Sequence, residues 1–350
     1  MNIGPYSLPN RFFVAPMAGV TDRPFRQLCR RLGAGYAVSE MLTSRPDLWH
    51  TPQSARRANH DGEAGPIAVQ IAGTDAAMMA QAARYNIDCG AQIIDINMGC
   101  PVKKVCNKWA GSALMQNEPL ALSIVQSVVA VCAPRGVPVT LKMRTGWSQA
   151  HKNAVVLARA FERAGVQMIT VHGRTREQGY SGLAEYDTIA AVKAAVNVPV
   201  VANGDIDSPE QARHVLAVTG ADAVMVGRAA QGRPWLFREM AHFMATGSHL
   251  APPLVAEVKQ LLLEHLHDHY ALYGDFLGVR TARKHIGWYV KDLPGGDAFR
   301  SRMNLLEDCG LQAGAVADFF DGLNARMDRM PVGASLGLVN KNEKHMETTR

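Results

Sequence analysis

Eight short apolar runs, each followed by a stretch of helical periodicity, recur within about 220 residues of this chain, and that alternation limits the fold more than any other feature. The runs lie at 12–16, 36–41, 67–71, 93–96, 139–144, 168–172, 198–203 and 223–228. They are rich in β-branched residues and apolar almost throughout, as strands buried on both faces of a parallel sheet are. Helices are predicted at 23–32, through Tyr85 after the third run, then at 119–131, 153–164, 186–195 and 208–219. Thr21-Asp22 and Ser208-Pro-Glu supply capping side chains, with proline in the first turn of each helix. Such alternation builds either a doubly wound open sheet or a (β/α)8 TIM barrel. The even count of eight, with polar residues recurring where the runs end, favours the α/β barrel.

In a barrel those strand ends form one face, the face that carries chemistry. Here they present Met17, Glu40, Gln70, Asn97 to Cys100, Lys142, Arg144, His172, Asn203, Gly227 and Arg228. The loops Asn203-Gly204-Asp205 and Gly227-Arg228 follow strands seven and eight, where backbone N–H groups often cradle a phosphate. Lys142 could stabilise negative charge on a bound ring, Gln70 could hydrogen-bond to it, and Pro16-Met17-Ala18 could wall it. The fourth run breaks into Asn97-Met-Gly-Cys-Pro101 and leaves the Cys100 thiol on a turn, with Lys103 and Lys104 next in the chain. A thiol beside cations suits a catalytic acid or nucleophile; a small buried cysteine in a tight turn is the plainer alternative.

From Trp235 the alternation stops. Ala251-Pro-Pro253 reads as a linker, and helices are predicted at about 254–273, 276–290, 297–307 and 312–327. The expected organisation is a barrel over 1–240, a small helical domain over 251–330 and a disordered polar tail over 331–350. Arg280, Arg283 and Lys284 share one helical face, with His285 and Trp288 beside it and no acid between 279 and 291. That face is either solvated or a phosphate-binding stripe. The formal charge of +6 points the same way, toward a polyanionic partner. Six scattered cysteines without paired spacing argue for reduced thiols and a cytoplasmic setting rather than a disulfide framework or zinc site. Neither a membrane span nor a signal peptide is expected, and a monomer is the default.

The motifs Ala15-Pro-Met-Ala-Gly-Val-Thr-Asp22, Val69-Gln-Ile-Ala-Gly73, Asp95-Ile-Asn-Met-Gly-Cys-Pro101, Lys142-Met-Arg144, Val171-His-Gly-Arg-Thr175, Asn203-Gly-Asp205 and Val226-Gly-Arg228 resemble the tRNA-dihydrouridine synthase family, in order and spacing. Cys100-Pro-Val-Lys-Lys-Val is similar to its bacterial B-type branch. The resemblance implies reduction of a uridine in tRNA, with FMN at the barrel mouth and NADPH (or NADH) as reductant. It implies that Pro16, Met17, Ala18, Gln70, Lys142, His172, Asn203, Gly204, Asp205, Gly227 and Arg228 hold FMN, and that Cys100 is the proton donor. Asn97 and Arg174 would meet the extruded base or its flank, and Arg144 would also contact the tRNA. Lys103, Lys104, Arg176, Arg280, Arg283, Lys284 and His285 would grip the tRNA backbone. Cys106 and Trp109 have no role in it. Two other readings share the barrel: a flavin enzyme acting on a free small molecule, and a tRNA-binding folding factor.

Overall fold

Burial on both faces turns the apolar runs into parallel strands. The computed structural model of the protein describes residues 1–102, 106 and 110–331. Its barrel strands are β1 (Phe12–Val14), β2 (split into Tyr36–Ala37 and Leu42–Thr43), β3 (Ala68–Ala72), β4 (Ile93–Met98), β5 (Val139–Arg144), β6 (Met168–His172), β7 (Val200–Asn203) and β8 (Ala223–Val226). All six residues of β4 are buried, which a strand with one wet face would not show. The sheet order begins at the first piece of β2, runs through β1, β8, β7, β6, β5, β4 and β3, and ends at the second piece of β2. A parallel bridge between Val38 and Ala68 joins the two edges, so the sheet closes into the TIM barrel. The expected continuous strand at 36–41 is interrupted because Ser39 takes ladder positions with its side chain. Its N–H donates to Ala68 O, while its hydroxyl accepts from Gln70 N and donates to Glu40 O.

The barrel interior is packed. Phe13, Tyr36, Val38, Ile93, Met168, Val201 and Met225 form a cluster that Ile3 and Leu8 join from an N-terminal hairpin. Gly4 of that hairpin lies against Pro138 and Gln167, which precede β5 and β6, so the hairpin plugs the N-terminal end of the barrel. The opposite end is left to polar side chains. Helices follow the strands where the caps predict them. Asp22 accepts from Phe25 N to start α1 (Arg23–Arg31), and Ser208 accepts from Gln211 N to start the helix Pro209–Thr219.

The chain divides into two compact units, Met1–Gly227 and a second that begins at Arg228. The second is helical. Its longest element, Val255–Val290, is broken at Gly274, whose φ of 71° no helix contains; the sequence places that break between 273 and 276. Glycine tolerates this backbone where a side chain would be strained. The helices Gly296–Met303 and Cys309–Asn324 pack against the long helix, with Gln312 buried between Tyr270 Oη and the carbonyl of Val279, and Leu236–Thr246 precedes it in the same unit. Among the described residues no helix is long and apolar enough to cross a membrane.

Candidate active site

Strand register gathers the polar side chains at one end of the barrel. Gln70 pairs with Asp95, Asp95 with Thr140, Asn97 with Lys142, Arg144 with His172, and His172 with Asn203. The deepest layer is a buried relay. Thr140 Oγ1 donates to Asp95 Oδ1 at 2.6 Å, Gln70 Nε2 donates to Asp95 Oδ2 at 2.7 Å, and Asn97 Nδ2 donates to Gln70 Oε1 at 2.6 Å. Burial pushes the Asp95 carboxyl up, and the two hydrogen bonds draw it back. Asp95 and Thr140 escaped the sequence reading as site residues; a lone acid inside Ile93-Ile-Asp-Ile was the available signal.

The relay ends at the cysteine turn. Asn97 Oδ1 accepts from Gly99 N and Cys100 N, at 3.3 and 3.1 Å. Ser112 donates to Cys100 O from both its N–H and its hydroxyl, and Arg144 Nε donates to Gly99 O at 2.8 Å. The backbone that carries the thiol is therefore fixed on both sides. Burial holds the half-buried Cys100 thiol above its ordinary range, more strongly than a hydrogen bond from the Val102 backbone and the charges of Arg144 and Lys142 pull it down. It rests as S–H. Lys103 and Lys104, expected beside it, lie outside the described residues, as do Trp109 and 332–350. Buried Cys106 points its sulfur at Cys100 O, 3.4 Å away.

Across the mouth, Lys142 Nζ donates to Asn203 Oδ1 at 2.9 Å, spanning β6, while Asn203 Nδ2 donates to Met225 O. Both side chains enter the barrel interior, as residues of alternate strands do. Burial, seconded by Arg144, brings the Lys142 ammonium down to about 7. A cation held there beside a carboxamide suits an anionic ligand atom. Gly204 follows at φ 127°, where a Cβ would stand 2.7 Å from Ala184 Cβ. Gly204→Ala should cost about 1–3 kcal/mol through backbone strain; an unchanged Tm in thermal unfolding would show that the loop yields. Gly227 differs: a Cβ there would meet Met17 Sδ and Ala15 Cβ at 3.5 and 3.6 Å, ordinary contact distances, so the protein itself leaves room above it. Pro16 and Met17 are half-buried and Ala18 is exposed, on a turn closed by Met17 N donating to Thr21 Oγ1.

Three arginines stand on the rim, each with partners of its own. Arg144, 1% exposed, donates to Gly99 O, Thr175 O and Gly179 O, and burial lowers it only to about 10, so it stays charged. Arg174, 2% exposed, donates to Ser181 O, Gly182 O and Asp205 Oδ2, with His172 Nε2 at 3.4 Å. Both guanidiniums fold back on backbone carbonyls and hold loops. Arg176 stacks on Trp147 at 4.6 Å. Asp205, at φ 48°, also accepts from Ala184 N. Tyr180, which the sequence did not mark, stands 58% exposed at the mouth between Arg144 and His172. Arg228 opens the second unit, in the single turn Arg228–Ala230.

Within the second unit the basic stripe forms, with an acid the local sequence lacks. Arg280 Nη2 donates to Glu307 Oε2 at 3.0 Å, and Arg283 Nη2 reaches Leu306 O at 2.9 Å and Glu307 Oε1 at 3.4 Å. Lys284 is half-buried. His285 is 1% exposed and turned among His265, His269 and Trp288, so it lies beneath the stripe and not on it.

This barrel resembles solved structures at low identity. It matches TcOYE with pHBA at a TM-score of 0.53 and 12% identity, over 72% of this chain and 93% of that one. It matches histamine dehydrogenase from Rhizobium sp. 4-9 at 0.53 and 11%, over 93% and 64%. Those likenesses establish the fold. Sequence comparison establishes more. The chain is 58% identical to tRNA-dihydrouridine synthase B of Pseudomonas aeruginosa over 91% of its own length and 96% of the relative's. It is also 58% identical to the Xanthomonas axonopodis pv. citri protein of the same name, over 93% and 97%. Residues 13–322 match the family model for dihydrouridine synthase (Dus), and with the cysteine turn and strand-end motifs in register the chain belongs to the tRNA-dihydrouridine synthase family, in its B-type branch.

Proposed function

We propose that this enzyme reduces a uridine in tRNA to 5,6-dihydrouridine, with FMN at the barrel mouth and NADPH (or NADH) as reductant. The observation that carries the reading is the Cys100 turn, fixed by its backbone hydrogen bonds, on the same rim as a half-buried lysine. The residues present fit a flavin: Lys142 and Asn203 would meet its pyrimidine edge, and the open position at Gly227, with Gly204 and Asp205 in the loop after β7, would take its phosphate. FMN, when bound, supplies the hydride that reaches uracil C6. Cys100 then donates its proton to C5, so the charge that develops on the base is neutralised where it forms. A thiol raised by burial is the correct resting state for that task. Gln70, Asp95 and Thr140 hold Asn97, and Asn97 holds the Cys100 amide. Arg144 and Arg174 are positioning residues, and Tyr180 offers an aromatic face to an extruded base. Met17, Pro16, Ala18 and His172 close the remaining wall, and Arg228 would add a charge-assisted contact to FMN.

The helical unit grips the tRNA backbone through Arg280, Arg283 and Lys284. Because Glu307 already neutralises part of that stripe, Glu307→Gln should tighten tRNA binding several-fold and steepen its salt dependence. Arg283→Ala should flatten the slope by about one counterion. Filter binding across a salt series distinguishes the two, and equal slopes for both variants and the parent would remove this face from the interface.

The test of the function itself is a visible spectrum of the purified protein together with dihydrouridine mapping on tRNA from cells that lack the gene. Flavin absorbance, and restoration of dihydrouridine at defined positions by added enzyme, are expected. A yellow protein that restores none would favour a small-molecule substrate.

A further inference from the structure

We propose that His265, His269 and His285 form a zinc site that staples the two arms of the broken helix in the second unit. The first two imidazoles stand one turn apart on the arm before Gly274, and the third comes from the arm after it. Their candidate ligand nitrogens all lie within 4.8 Å of one another. All three side chains are at most 2% exposed. A tetrahedral zinc ion binds imidazole nitrogen at about 2.0–2.1 Å, which sets ligands roughly 3.3 Å apart, so small rotations about χ angles close the set.

A second observation concerns which nitrogen is presented. Thr281 Oγ1 donates to Leu277 O at 2.6 Å, so toward His269 Nε2, 2.8 Å away, it acts as acceptor. His269 is thereby the Nε2–H tautomer, with its lone pair on Nδ1. Metal-bound histidines are oriented by this kind of outer hydrogen bond. Around the trio, the rings of Tyr273 and Trp288 stand 4.4 Å from His269 and 5.1 Å from His285, and make the apolar wall typical of such sites. Three neutral imidazoles select zinc or a neighbouring transition ion over magnesium or calcium, and a water molecule would complete the tetrahedron. The staple sits one residue from Lys284 and two from Arg283, and so would fix the arm that carries the basic stripe.

The full-length, FMN-loaded protein would be stripped with a chelator, given zinc chloride, desalted, and measured for bound zinc and Tm. The expected result is one zinc per chain with a Tm several degrees higher than that of the stripped protein. His269→Ala and His285→Ala should retain none and lose the Tm rise, whereas His267→Ala, on the exposed side of the same turn, should behave as the parent. Should a histidine variant fail to fold, Thr281→Val removes only the orienting acceptor and should weaken zinc affinity by roughly 10–100-fold. A parent protein that keeps no zinc, or zinc that persists in both histidine variants, would overturn the site and leave a packed imidazole core.

Discussion

Replacing Cys100 with alanine should leave flavin absorbance intact and lower dihydrouridine formation by about 10²–10⁴-fold, the range a positioned general acid contributes. The loss should fall on the chemical step, so single-turnover rates with saturating tRNA drop while tRNA affinity stays. The pH profile follows from the raised thiol. In the proposed role Cys100 must be protonated to act, and burial moves its titration to higher pH. Activity limited by this proton should therefore be flat through neutrality and decline only on the alkaline side. Cys100→Ser, whose hydroxyl stays protonated throughout, should be slower and should lose that alkaline decline. A Cys100→Ala enzyme with parental turnover on natural tRNA would assign the proton to another donor.

Lys142→Met should weaken FMN binding by roughly 10–100-fold, the loss expected when a partly buried charge-assisted hydrogen bond is removed. The lysine's low value carries its own signature. In the flavin-free protein Lys142 loses its proton near pH 7, far below its ordinary value near 10.5, because burial penalises the ammonium. Between those two values the unfolded chain binds more protons than the folded one, so this lysine makes stability rise with pH across that window. An anionic ligand reverses the balance by favouring the ammonium. FMN affinity should thus fall as pH rises through about 7, and Lys142→Met should flatten that dependence. Fluorescence titration of flavin at several pH values decides it; parallel curves for parent and variant would place the lysine away from the ring.

The eight strands were legible because each is a separate apolar run, and closure followed from their number. The cysteine turn was legible for a similar reason: Asn97, Gly99 and Cys100 are neighbours in the chain, so a local motif describes their hydrogen bonds. Contacts made over longer separations were not. Arg144 and Arg174 look like free cations at strand ends, and only the folded loops reveal the carbonyls that each guanidinium satisfies. Glu307 meets Arg280 from 27 residues away and Arg283 from 24. His285 reads as a surface neighbour of basic residues until the bend at Gly274 turns it toward His265 and His269. The split of β2 also depends on tertiary structure, since Ser39 competes with a ladder whose partner strand starts at Ala68.

Arg144 has a mechanical consequence. One guanidinium fastens the Cys100 turn through Gly99 and the loop after β6 through Thr175 and Gly179. Pulling either segment away alone would leave at least one buried carbonyl and one guanidinium N–H unpaired, a penalty of about 1–3 kcal/mol. The two loops therefore behave as one riveted plate. A displacement of the loop that carries Tyr180 is transmitted to the turn that carries the Cys100 thiol.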